Sequence, residues 1–197
     1  MMSGLLCWAT VLLPAYAATT RVQVQDEQGK PVADAIVFLE SREAKLLVKP
    51  IQNAEIAQVN RQFAPNILVV PTGTSVTFPN RDSVRHHVYS FSNTKKFELK
   101  LFAGTPANPV VFDRSGIAVV GCNIHDNMTA WVVVVDTPFY ARSDASGYAS
   151  FTDVPAGSYR LRTWHSRLAV GAPALDQPLA VQGANSTASV RLTGLAP

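Results

Sequence analysis

The apolar residues of this chain fall in short runs rich in Val, Ile, Phe and Tyr, cut by clusters of Gly, Pro, Asn and Asp. Such punctuation marks strands joined by turns, and no long stretch keeps the 3.6-residue period of an amphipathic helix. The pattern predicts strands at 21–25, 35–40, 67–70, 75–78, 87–91, 117–120 and 130–135. The segment 51–59 reads as a turn of helix or a loop. The fold class is therefore all-β.

Residues 1–17 stand apart from this pattern. They run apolar through Leu5-Leu6-Cys7-Trp8 to Leu13 and end in Ala15-Tyr16-Ala17, a small-x-small cleavage pattern. No Lys or Arg precedes the run, but its shortness argues against a membrane anchor and for a secretory signal peptide. The expectation is export to the bacterial periplasm, with no stable membrane insertion after cleavage. Removal of Cys7 leaves Cys122 as the lone cysteine, which cannot form an internal disulfide in an oxidising compartment. Taken alone, such a thiol is most often an inert buried residue.

Three blocks follow. The first, Val22 to Val37, is a strand, a Gly29-Lys30-Pro31 turn and a second strand. The middle block spans 55–136. The last opens at Thr137-Pro138, where the residue before proline favours extended backbone, a common form of linker.

Composition narrows the function classes. With 197 residues, 47% hydrophobic and 16% charged, the chain suits one or two soluble domains that need no disulfide staples. The net charge of +3 comes from scattered cations; only Lys95 and Lys96 are adjacent, so no nucleic-acid-binding stripe is present. No Ser-His-Asp order, phosphate loop or paired carboxylates support hydrolysis or group transfer, and an enzyme is not expected. Asp82, Asp126, Asp136 and Asp144 sit beside turns, where Asp bonds local backbone. His165 reads as an exposed strand-end residue.

The informative string is Gly121-Cys122-Asn123-Ile124-His125-Asp126-Asn127-Met128. A thiolate, an imidazole and a thioether recur at every third position between two strand-like runs. One copper ion suits that set, with two imidazoles and a thiolate in a plane and a weak axial Met. Zinc wants a fourth strong ligand and rarely takes a thioether. Separately, Met128 reads as core packing and His125 as a surface histidine; together with the lone Cys they point to a site. The second imidazole must come from elsewhere, and His86-His87 supplies two candidates. Strand alternation puts them on opposite faces, so one strand cannot offer both to one metal.

The segment Asn80-Arg81-Asp82, followed by His86 four residues after the acid, resembles the first ligand strand of cupredoxins of the plastocyanin and amicyanin type. Gly116, six residues before Cys122, and the apolar run 131–135 fit the same resemblance, which covers about 55–136. The Cys-x-x-His-x-x-Met spacing is that of the amicyanin-like members, electron carriers of methylamine oxidation. The last block resembles a second family. Its Asp144-x-x-Gly147 with a following aromatic, then Pro155-x-Gly157-x-Tyr159-x-Leu161, looks like the transthyretin-like or carboxypeptidase-regulatory-like β-sandwich. The Gly29 to Val37 segment resembles the opening hairpin of that family.

These resemblances imply a cupredoxin Greek-key β-sandwich at 55–136 plus a small transthyretin-like β-sandwich at 20–45 and 137–195, interrupted by the first. The alternative is that the first hairpin extends the middle domain. The implied ligands are His86, Cys122, His125 and Met128, holding one copper ion. His87 falls where the family has an Asn that braces the Cys loop, and is the alternative ligand. The implied function is outer-sphere transfer of single electrons by a monomer between redox partner proteins, with His125 as the port. Asn123, Asp126 and Asn127 make this loop more polar than the family's usual one. Two rival readings use other properties: copper carriage or sequestration without redox traffic, and an adhesive or glycan-binding module built on the last block.

Overall fold

A computed structural model describes residues 19–182 and 185–196. The leader predicted at 1–17 lies outside the described residues. Strands β1 (Thr19–Gln25) and β2 (Ile36–Glu40) come first, then helix α1 (Arg42–Leu46). The middle group is β3 (Ala54–Glu55), β4 (Ala57–Val59), β5 (Gln62–Ala64), β6 (Ile67–Pro71), β7 (Thr74–Thr77), β8 (His86–Phe91), β9 (Lys96–Phe102), β10 (Val110–Phe112), β11 (Gly116–Cys122) and β12 (Thr129–Val135). The last group is β13 (Tyr140–Arg142), β14 (Tyr148–Thr152), β15 (Gly157–Trp164), β16 (Leu175–Val181) and β17 (Ser186–Arg191).

The protein is all-β apart from α1, and each predicted strand is present within a residue or two at its ends. The segment 51–59 is a correction: it forms β3 and β4. β3 runs parallel to β7 with Ala54 opposite Val76, a pairing made at long range and invisible to a local pattern. β9, absent from the sequence expectation, alternates Phe97 and Leu99 toward the core with Lys96, Glu98 and Lys100 outward. It is an edge strand, and charges along it discourage pairing with another chain.

The middle strands make a five-stranded sheet, β6-β12-β11-β8-β9, facing a small sheet, β10-β7-β3. Val76, Phe78 and Phe112 pack between them against Val88, Ala118, Val120 and Val132. The outer strands make a second sandwich. β1 pairs with β14 and, in parallel, with β17, while β2 lies between β13 and β15. Its core includes Val22, Val24, Val37, Leu39, Phe151 and Leu161.

Two strands join the sandwiches because both of their faces are apolar. In β12, Val132 and Val134 face the middle core, whereas Val133 and Val135 face outward. In β2, Val37 and Leu39 face the outer core, whereas Ile36 and Phe38 face back. The outward sets meet Trp164 and Ile67 in a third core, and Trp164 lies 6.0 Å from Trp131 between ring centroids. Continuous apolar runs are what strands buried on both sides require.

Two turns of the outer sandwich are built alike. Asp26 Oδ1 accepts from the Gln28 and Lys30 amides at 2.9 and 2.8 Å, and Asp144 Oδ1 accepts from the Ser146 and Tyr148 amides, both at 2.9 Å. Each turn closes on a glycine at positive φ, Gly29 and Gly147. At Gly147 a Cβ would stand 2.5 Å from the Val24 carbonyl oxygen, so only glycine lets the two turns approach. Asp144 thus has the local role expected of it.

Asp136, by contrast, reaches across the molecule. It accepts from Lys45 Nζ at 2.8 Å and from Thr72 Oγ1 at 2.5 Å, tying α1 to the middle sandwich. Burial pushes this carboxyl up, but the bonds from Lys45, Thr72 and Ser115 outweigh it and hold the carboxyl below its ordinary value. A lowered native value means stability that is present above the unfolded pKa and lost as pH falls through the folded one. The expectation is that acid unfolding begins as pH drops below about 4, and that Asp136→Asn flattens that limb in denaturant titrations run across pH. Trp164→Ala, which empties the junction core, is expected to cost about 3–5 kcal/mol by urea unfolding.

Candidate metal centre

β8 and β11 pair antiparallel, with Gly121 opposite Tyr89 and Cys122 opposite Val88. His86, at the start of β8, therefore reaches the loop that leaves Cys122. That loop is tight: the Cys122 amide donates to the Met128 carbonyl at 3.3 Å, and the Met128 amide to the His125 carbonyl at 3.0 Å. The Asn123 amide donates to the His87 carbonyl at 3.1 Å, fastening the loop to β8.

Three donor atoms converge here. Cys122 Sγ lies 3.7 Å from His86 Nδ1 and 4.0 Å from His125 Nδ1, and all three atoms are within 4.8 Å of one another. His86 and Cys122 are buried and His125 is half-buried. Sulfur and nitrogen ligands at about 2.3 and 2.0–2.1 Å from one ion, spread over tetrahedral to trigonal angles, stand about 3.5–3.8 Å apart. The observed spacings sit close to that range, so the donor set fits a single soft-to-borderline metal ion. The Ile124 amide points at the sulfur from 3.5 Å.

His86 is held from behind. Its Nε2 lies 2.8 Å from Asp82 Oδ2, which turns Nδ1 toward the sulfur. Asp82 in turn accepts from the Asn60 and Arg61 amides at 2.6 and 3.0 Å, two residues at positive φ in the turn between β4 and β5. Burial raises the Asp82 carboxyl, but bonds from Arg61, His86 and Asn60 outweigh it and hold it below its ordinary value. Asn80 completes the brace: its Nδ2 donates to the Val84 and Phe102 carbonyls at 2.8 and 3.1 Å, and its Oδ1 accepts from the Asp82 amide at 2.9 Å.

The structure brings together His86, Cys122 and His125, and buries Met128 in the same core cluster as Cys122. It separates His87, whose side chain turns to the outer face and meets Glu98 Oε1 at 2.9 Å. The His87 carbonyl, in contrast, accepts from the loop's Asn123 amide. His165 is a correction: it is buried, not exposed, and its Nδ1 accepts from the Arg167 amide at 3.0 Å. Burial and Arg167 lower its pKa. Asp82 is a correction of another kind, because its partners lie 21 and 22 residues upstream and on a histidine, not in the adjacent turn. The four-residue spacing from Asp82 to His86 was the available signal.

No protein-family model matches the chain, and no curated protein does. Solved structures that match include a purple cupredoxin, variants of amicyanin and a copper-containing nitrite reductase. A purple cupredoxin from Nitrosopumilus maritimus is 26% identical over 42% of this chain and 100% of its own, with a TM-score of 0.37. A reduced Cu(I) form of an amicyanin variant is 22% identical over 50% of this chain and 98% of its own, with a TM-score of 0.38. A copper-containing nitrite reductase from Thermus scotoductus is 21% identical over 46% of this chain, which spans only 26% of that enzyme, with a TM-score of 0.39.

Replacing Asp82 by Ala frees the His86 ring without touching a donor atom. The expected result is a loss of about 10–100-fold in metal affinity, read by competition against a chromophoric Cu(I) chelator.

Proposed function

We propose that the protein is a type 1 copper protein of cupredoxin type that carries single electrons between redox partner proteins. The observation that carries this reading is the convergence of one sulfur and two imidazole nitrogens at the end of a five-stranded sheet, with Cys122 and His86 buried and His125 half-buried. His86, Cys122 and His125 would hold the metal, with Met128 as a weaker fourth donor. Copper bound there supplies a one-electron Cu(II)/Cu(I) couple.

The chain's own part is to keep the donors still. Cys122 is fixed by β11, His86 by Asp82, and His125 by the three-residue step from Cys122 within a hydrogen-bonded loop. Donors that do not move between oxidation states leave little reorganisation to slow transfer. His125 is half-buried and flanked by exposed Asn123, Ile124 and Asp126, which makes it the contact point for a partner on this end.

The same reading assigns 55–136 to the copper domain, and 20–45 with 137–195 to a carboxypeptidase-regulatory-like sandwich interrupted by it. The pairing of β1 with β14 and β17, and of β2 with β13 and β15, supports that division. Export to the periplasm is supported by the apolar leader and the lone mature thiol. No helix among the described residues is long and apolar enough to cross a membrane.

The test is metal analysis with visible spectroscopy of protein made in the periplasm. One copper per chain, an intense visible band from sulfur-to-Cu(II) charge transfer and reversible one-electron reduction are expected; Cys122→Ala is expected to abolish the band. A colourless, air-stable Cu(I) protein sinks the electron-transfer reading and leaves copper sequestration.

A further inference from the structure

The outer sandwich covers only part of the five-stranded sheet's outward face. β6, β12 and part of β11 lie under Phe38 and Trp164, through Ile67, Val133 and Ile117. β8 and β9 keep their outward face open. On it His87, Tyr89 and Phe91 follow one another at the two-residue strand spacing, Tyr89 being 6.3 Å from His87 and 5.2 Å from Phe91 between ring centroids. Phe91 is 73% exposed and borders a cleft of about 400 Å³ that Ile117, Phe38 and Arg162 also line. An aromatic ring standing in water beside a concave wall marks an interaction surface better than it serves a monomer.

The inner end of this row reaches the metal centre. Tyr89 pairs with Gly121, and the phenol end of its ring occupies the space beside it: a Cβ at position 121 would stand 3.1 Å from both Tyr89 Cζ and Oη. Gly121 is bonded directly to Cys122. From the sulfur, a short covalent run along Cys122 and Gly121 and one contact reach Tyr89, and a tilted ring pair with centroids 5.2 Å apart reaches the exposed Phe91.

The charge of the face indicates what lands on it. Lys96 stands opposite Phe91 and Glu98 opposite Tyr89. Glu98, the one carboxylate on the outward side of β9, is engaged by His87 at 2.9 Å. Lys96 and Lys100 are exposed and make no ion pair among the described residues. Two unpaired cations beside an exposed aromatic ring match an acidic surface.

We propose that this face is a second electron port, on which an acidic redox protein docks over Phe91 against Lys96 and Lys100. This rests on the copper reading above. The electron passes through Phe91, Tyr89 and the Gly121–Cys122 backbone, and not through His125. One electron moves and nothing else: the partner's oxidised centre gains it, the copper site loses it, and the two rings are the medium without being oxidised themselves.

The test uses the full chain loaded with Cu(I), which is diamagnetic, and two anionic probes. With ¹⁵N-labelled protein, redox-inert hexacyanochromate(III) is expected to broaden the amides of Tyr89–Phe91 and Lys96–Lys100, and to lose that effect in Lys96→Glu/Lys100→Glu. In stopped flow, oxidation by hexacyanoferrate(III) is expected to slow by about tenfold in the same double variant, and to slow also in Phe91→Ala, with the visible band of each variant unchanged. Gly121→Ala, which pushes the Tyr89 ring away, is a second probe of the route. Broadening confined to the His125 end, or unchanged rates in Phe91→Ala with an intact band, overturns the port alone. A parent chain with no visible band overturns the copper reading and the port with it.

Discussion

Alternation of side chains across an extended strand is the constraint from which the rest of this molecule follows. β12 and β2 are apolar at every position that faces a neighbour, so each needs a partner layer on both sides. Their shared demand stacks two sandwiches instead of one, with Trp164, Val133 and Phe38 as the join. β12 then fixes β11 through six register pairs, and β11 fixes β8. A donor set at the end of β11 inherits the stiffness of everything behind it.

The site shows how polar groups are afforded in such an interior. His86 is fully buried, an expensive place for an imidazole unless each ring nitrogen has a partner. Asp82 satisfies one nitrogen and is itself satisfied by two backbone amides. The other nitrogen is left aimed at Cys122. One ring nitrogen of His86 is thus held by a carboxylate while the other faces only the sulfur, which leaves Nδ1 turned toward Cys122.

Much of this was legible beforehand, and for definable reasons. Period-two patterning carried the strands, because one buried face leaves its mark on each alternate residue. The Cys122, His125 and Met128 loop was legible because its residues are close in sequence, and loops compress chemistry into adjacent positions. Parity separates His86 from His87 without saying which face is the core; the structure turns His86 inward and His87 toward Glu98. Asp82 was misread as a turn residue because its partners, Asn60 and Arg61, come from a distant hairpin. β3 and β9 were missed for opposite reasons: β3 is two residues long and defined only by its neighbour, while the charges along β9 mask its two inward residues.

The pairing of β1 with β17 joins the first described strand to the last. A chain built this way cannot finish its outer sandwich until nearly all of it is available. β1 and β2 lie in different sheets, and in a chain supplied from its amino end neither would have its partners until β13, β14, β15 and β17 followed the middle strands. Contacts between such distant positions form slowly. The segment that carries Cys122, His125 and Met128 would then be in place before the body that partly covers its sheet is complete.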